Sequence, residues 1–131
     1  MVVDTSALAA IVLGEPDAER YLAALAGTTD GIHVCAVTAV EAAIVVEARQ
    51  GPDAARDLDL LLDRLGARVT ACDAEQVSAA ITAWRRFGKG RHPAALNLGD
   101  CFSYALARTS GEELLFKGAD FPQTDVRTVA V

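Results

Sequence analysis

The sequence predicts an α/β fold: a three-layer sandwich in which a mainly parallel sheet of four or five strands is flanked by helices. Three observations predict it. Short apolar runs alternate with helical stretches along the whole chain, which implies crossover connections between parallel strands. Hydrophobic residues make up 52% of the 131, enough for a sheet buried on both faces. No repeat, low-complexity tract or linker interrupts the pattern, so residues 1–131 read as one domain.

The elements follow in order. "MVVD" reads as a short strand that ends on Asp4. Thr5–Leu13 is helical and stops at Gly14 and the Glu15-Pro16 break. Ala18, Tyr21, Leu22 and Leu25 keep the i, i+3, i+4, i+7 spacing of a second helix, closed by Gly27. "GIHVCAV" is the second strand, and Thr38–Gln50 a helix ended by Gly51. Leu58, Leu61, Leu62 and Leu65 form a helical stripe, after which "ARVTAC" is the third strand. Asp73 caps a helix whose buried face carries Val77, Ala80, Ile81, Trp84 and Phe87. A polar loop, "GKGRHPAALNLG", leads into a helix over residues 100–109. "ELLF" is the fourth strand and "VRTVAV" a candidate fifth.

Composition narrows the function classes. No apolar run is long enough to span a bilayer, and the N-terminus lacks a basic signal-peptide region, so a cytoplasmic protein without a membrane is expected. Cys35, Cys72 and Cys101 are odd in number and have no CxxC spacing. They read as small apolar residues rather than disulfides or zinc ligands. The net charge of −6 disfavours a nucleic-acid partner unless several carboxylates converge and are neutralised locally by cations.

The acids offer such a site. In an open parallel sheet, ligands sit beyond the carboxyl ends of the strands, near the switch in strand order. Asp4 lies at the carboxyl end of the first strand, where it can cap the next helix or hold a ligand. Glu41 is three residues beyond Thr38 and completes a Thr-x-x-Glu capping box, yet the same first turn would hold it at the sheet edge. Glu47 points about 120° away and is expected in solvent. Asp100 heads the apolar helix "DCFSYALA", and Asp120 follows the fourth strand in a glycine-containing turn, with Asp125 a weaker candidate. Carboxylates gathered at one edge repel each other, and hard cations such as Mg²⁺ or Mn²⁺ relieve that repulsion. Phosphodiester hydrolysis by a metal-activated water is the chemistry that fits. With only His33 and His92 present, a Ser–His–Asp set is poorly supplied.

Four stretches carry a family resemblance: "VVDTSALAAIVLGEPDAE", "TAVEAAIVVEAR", "LNLGDCFSYALA" and "LLFKGADF". Together, in this order and at this length, they resemble a PIN-domain ribonuclease, more narrowly a VapC-type toxin of a toxin–antitoxin pair. The resemblance implies a PIN-like fold and a metal-dependent endoribonuclease. It implies Asp4, Glu41 and Asp100 as metal-binding catalytic acids, with Mg²⁺ or Mn²⁺ as cofactor and Ser6 beside the first acid. It also implies a homodimer and a cognate antitoxin, which the "AERYLAALAG" helix and the Leu58–Leu65 stripe could help to bind. The family often reads Thr-x-Asp-x-Asp-Phe near its end. Here Gly118 stands at the first of those acids, so Asp120 is the remaining candidate for the fourth ligand.

RNA would need cations, and Arg85, Arg86, Lys89, Arg91 and His92 form the only dense basic run. Tyr104 could stack on a base, whereas Trp84 reads as core. Two other readings compete. One is a non-catalytic PIN-like module that binds RNA or a partner, which the change at Gly118 keeps open. The other is a phospho-receiver using Asp73 and Lys117, weakened because Thr5-Ser6 rather than a second acid follows Asp4.

Overall fold

The computed structural model describes all 131 residues. Four short strands, β1 (Val2–Val3), β2 (His33–Cys35), β3 (Arg68–Thr70) and β4 (Leu114–Leu115), pair in parallel in the order β3-β2-β1-β4. Six helices connect them: α1 (Thr5–Val12), α2 (Ala18–Gly27), α3 (Ala36–Gln50), α4 (Pro52–Arg64), α5 (Ala74–Phe87) and α6 (Leu98–Ser110). The chain first steps outward from β1 to β2 to β3, then returns through α5 and α6 to place β4 on the other side of β1. The order therefore reverses between β1 and β4, which makes the carboxyl end of β1 the expected ligand position.

Alternation within the strands builds the three layers. Val2, Cys35 and Leu114 belong to one core, packed with Ala80, Ala83 and Phe87 of α5 and Cys101, Tyr104 and Ala105 of α6. Val3, Val34 and Leu115 belong to the other, packed with Leu8 of α1, Tyr21 and Leu25 of α2, Val46 of α3 and Leu58 of α4. Successive side chains of a strand point to opposite faces, so two-residue strands suffice to key both layers. Each fully buried aliphatic side chain contributes about 1.5–3 kcal/mol.

Several expected boundaries shift. The candidate fifth strand is not one: Thr128 makes only an isolated bridge to Leu114, and the chain ends exposed at Val131. A 3₁₀ turn, Phe121–Gln123, precedes that tail instead. Helix α3 starts at Ala36, directly after β2, so Thr38 is inside its first turn and is no cap. Its hydroxyl is buried against Ser103 of α6 at 3.1 Å. Helix α6 starts two residues before Asp100, because Asn97 supplies the cap.

The buried face of α5 is narrower than its apolar pattern suggests. Ala80, Ala83 and Phe87 pack inward, whereas Val77, Ile81 and Trp84 are 43–45% exposed. Helix α6 covers only part of that stripe, so Trp84 is not the core residue expected. Tyr104, proposed above for base stacking, is 3% exposed, and its hydroxyl donates to Asp125 at 2.5 Å. On α4, Leu58 is buried, Leu61, Leu62 and Leu65 are partly so, and Leu60 faces out. Cys35 and Cys101 are buried and Cys72 half-buried, all as free thiols. No helix is long and apolar enough to cross a membrane.

Candidate active site

Asp4 follows β1 without an intervening turn, its amide bonded to the Leu115 carbonyl of β4 at 2.9 Å. It does cap α1, with Oδ2 accepting from the Ser6 amide at 2.9 Å. The cap is only part of its environment. Oδ2 also accepts from Ser6 Oγ at 2.6 Å, and Oδ1 accepts from Ser103 Oγ at 2.6 Å. Thr38 lies behind Ser103, and the Lys117 amide donates to Ser6 Oγ at 2.9 Å. Donors from α1 and α6, each backed by a further group, thus fix a carboxylate that is 2% exposed. A buried carboxylate is tolerated because both of its oxygens accept hydrogen bonds.

Glu41 approaches from α3. Its Oε1 accepts from Thr5 Oγ1, and its carboxylate lies against the backbone of Gly99 so closely that any Cβ there would collide with it. Gly99 is what lets α3 and the first turn of α6 meet at this point. Asp100 completes the group from α6. It forms a capping box with Asn97, its Oδ2 accepting the Asn97 amide at 2.9 Å while Asn97 Oδ1 accepts the Asp100 amide at 2.8 Å. Burial first, then the charges of Asp4, Asp120 and Glu41, push the Asp100 carboxyl up to about 7, against the pull of the Asn97 hydrogen bond.

Asp4, Ser6, Glu41 and Asp100 line one pocket of about 310 Å³, together with Thr5 and Asn97. Asp120 lies outside the lining, exposed, close enough to raise Asp100 by its charge. Gly118 has φ +123° and open space around its Cα, so the turn that carries Asp120 is shaped by glycine where the family pattern has an acid. The expected acids meet as a trio, with Asp120 at the margin.

The donor set is all oxygen and suits a hard cation. No three of the acidic, histidine or cysteine side chains converge tightly enough to form a closed cage. Mg²⁺ does not require one, because it keeps several waters and commonly uses one or two carboxylates. The raised Asp100 carboxyl marks the same need for positive charge.

The basic run expected to meet RNA does not line this pocket. Arg86 pairs with Asp125 at 3.1 Å, and the Arg91 guanidinium stacks 4.1 Å from the centre of the Trp84 ring. Lys89 lines a neighbouring apolar groove of about 460 Å³ that shares Asn97 with the acidic pocket. The cations that do line the acidic pocket are Arg49 and Lys117. Arg49 was legible in principle: Glu41, Val45 and Arg49 are spaced i, i+4, i+8 on α3, and all three face the pocket. Ser103 was legible in the same way, one turn after Asp100. Asp73, the receiver candidate, caps α5 through the Gln76 amide at 2.9 Å. Glu47 is exposed, as its helical angle requires.

Comparison with known proteins agrees with this fold. The PIN domain family model matches residues 1–127. Ribonuclease VapC30 of Mycobacterium tuberculosis is 52% identical over 132 residues, spanning 100% of this chain and 99% of that one. Ribonuclease VapC of Mycolicibacterium smegmatis is 52% identical over 130 residues, spanning 98% and 99%. Among solved structures, Mycobacterium tuberculosis VapC20, described as a Sarcin-Ricin loop cleaving toxin, superposes with a TM-score of 0.80 at 20% identity, covering 98% of this chain and 97% of that one. FitAcB from Neisseria gonorrhoeae superposes at 0.69 with 18% identity, covering 98% and 96%. At those identities the two structures speak for the fold.

Proposed function

The chain belongs to the PIN-domain family, among the VapC ribonucleases, and on that premise we propose how this endoribonuclease toxin of a toxin–antitoxin pair cuts RNA. The observation that carries the reading is the meeting of Asp4, Glu41 and Asp100, from three elements, in one pocket at the reversal of strand order. These three acids would hold Mg²⁺ or Mn²⁺, with Asp120 as a fourth acid acting from the margin. When bound, such a cation lowers the pKa of a water and offsets charge on the phosphoryl oxygens. The chain's own residues orient the acids: Ser6 and Ser103 fix both oxygens of Asp4, Thr5 fixes Glu41, and Asn97 fixes Asp100. Arg85, Arg86, Lys89 and Arg91 would meet RNA phosphates flanking the site rather than at it.

The same reading includes a cytoplasmic location and a homodimer, with residues 1–131 acting as one PIN-like unit. Tyr21, Leu25 and Leu58, on the segments expected to meet the antitoxin, are core instead. The larger exposed apolar surface is formed by Val40 and Ile44 of α3, Val77, Ile81 and Trp84 of α5, and Leu98 of α6. That surface is where a second copy or an apolar antitoxin segment would pack. A non-cleaving PIN-like binding module is the second reading, favoured by Gly118 and the open spacing of the acids.

Incubation of the purified protein with structured RNAs, with Mg²⁺ or Mn²⁺ and with EDTA, separates the two. Discrete cleavage that EDTA abolishes supports the nuclease. Binding without cleavage in either cation supports the module.

A further inference from the structure

The lining of the acidic pocket includes an ion-pair bridge that the proposed chemistry leaves unused. Glu15, in the turn between α1 and α2, accepts from Lys117 Nζ and lies 3.7 Å from Arg49 Nη1. Lys117 also reaches Asp17 at 2.8 Å. The three bridge residues come from three separate segments, and Arg49, Glu15 and Lys117 all line the pocket that holds Asp4, Glu41 and Asp100. Arg49 is 62% exposed and Lys117 35%. Ion pairs this open to water contribute little to stability. A stabilising role is therefore a weak reason to place two cations at the mouth of an acidic site.

A polyanion approaching Asp4, Glu41 and Asp100 meets repulsion from a chain of net charge −6. The positive charges that line the pocket are Arg49 and Lys117, drawn together around the single carboxylate of Glu15. We propose that Arg49 and Lys117 together form a phosphate clamp that seats the RNA backbone beside the acidic cluster, and that Glu15 occupies the clamp until a phosphate displaces it. The proposal rests on the ribonuclease reading and adds the residues that seat the substrate. Arg49 offers a planar fork that matches two phosphate oxygens, and Lys117 a compact charge. Between binding events Glu15 pairs with Arg49 and shares Lys117 with Asp17, so its charge competes with RNA.

Competition makes a prediction that a structural bridge does not. Arg49→Gln, Lys117→Gln and Glu15→Gln each remove at least one Glu15 ion pair, so a structural role moves all three in one direction. The clamp predicts opposite signs. The test is fluorescence anisotropy of a labelled single-stranded RNA with the full-length protein in EDTA, at several salt concentrations. Arg49→Gln and Lys117→Gln should each weaken binding about fivefold. Each should also lower the salt slope by about 0.7, one phosphate contact. Glu15→Gln should tighten binding. Binding by Glu15→Gln equal to or weaker than wild type overturns the clamp, as do unchanged salt slopes in both cation variants or no measurable binding by wild type. Cleavage of the same RNA in Mg²⁺, assayed in parallel, keeps the two claims apart: a wild type that cleaves while the variants bind alike sinks the clamp alone, and one that neither binds nor cleaves sinks both.

Discussion

Two concavities share Asn97 and differ in almost everything else. The apolar groove between α5 and α6 is the larger, about 460 Å³, and is lined by Val77, Ile81, Trp84, Leu98 and Phe102 among others. The acidic pocket is about 310 Å³ and is lined chiefly by charged and hydroxyl side chains. Size alone would select the groove as the binding site. Chemistry selects the pocket, because several carboxylates gather there and, with burial, raise the Asp100 carboxyl to about 7. On the proposed reading the groove would serve association and the pocket reaction.

The largest effect that would break this contrast is expected at Asp4. Asp4→Asn keeps the shape and leaves the Ser6 and Ser103 contacts possible, so the fold should survive. Cleavage should fall by about a hundredfold or more, the scale of losing one preorganised catalytic charge. Circular dichroism and an RNA cleavage assay check the two halves together. Trp84→Ser, in the groove, should leave cleavage nearly intact and weaken self-association instead, read by analytical ultracentrifugation. If Trp84→Ser cripples cleavage as Asp4→Asn does, the contrast fails.

Gly99→Ala is next. Its Cβ would strike the Glu41 carboxylate, and displacing an acid without removing it should lower cleavage by about ten- to a hundredfold. Gly111→Ala, at the far end of α6 where φ is +72°, strains the backbone there and should cost stability more than cleavage. Thermal melts paired with initial rates separate the two substitutions.

The smallest effect concerns pH. Asp100 is held near 7 when folded and titrates near 4 when unfolded. Between those values the folded state carries the proton that the unfolded chain has released. Stability therefore falls as pH rises through that window, and is lowest once Asp100 ionises. In EDTA the melting temperature should be lower at about pH 8 than at about pH 5, and Asp100→Asn should flatten that difference. Added Mn²⁺ should raise the melting temperature at the higher pH most, because the ion stabilises the ionised cluster.

The same contrast explains what was legible in the sequence. The family resemblance singles out the trio Asp4, Glu41 and Asp100, but the α/β order and the candidacy of four acids, Asp120 included, follow from where strands end and helices begin. Those are local, periodic signals. Glu41 reaches the pocket without a Thr38 cap: it accepts from Thr5 and lies against Gly99, far away in sequence. The groove was illegible for a related reason. Val77, Ile81 and Trp84 share the helical spacing of Ala80 and Phe87, and how much of an apolar stripe α6 covers depends on packing that periodicity cannot express. Lys117 has no such signal as a partner of the acids, and Arg49 only its spacing from Glu41, because the pocket takes single cations from separate segments rather than from the dense basic run.

The central claim is that the acidic pocket, and not the groove, holds the divalent cation. Calorimetric titration of Mn²⁺ into the wild type, Asp4→Asn, Asp100→Asn and Trp84→Ser proteins tests it most directly. Binding by the wild type and Trp84→Ser, with loss in both aspartate variants, is the predicted result. Undiminished Mn²⁺ binding by folded Asp4→Asn and Asp100→Asn proteins would contradict it.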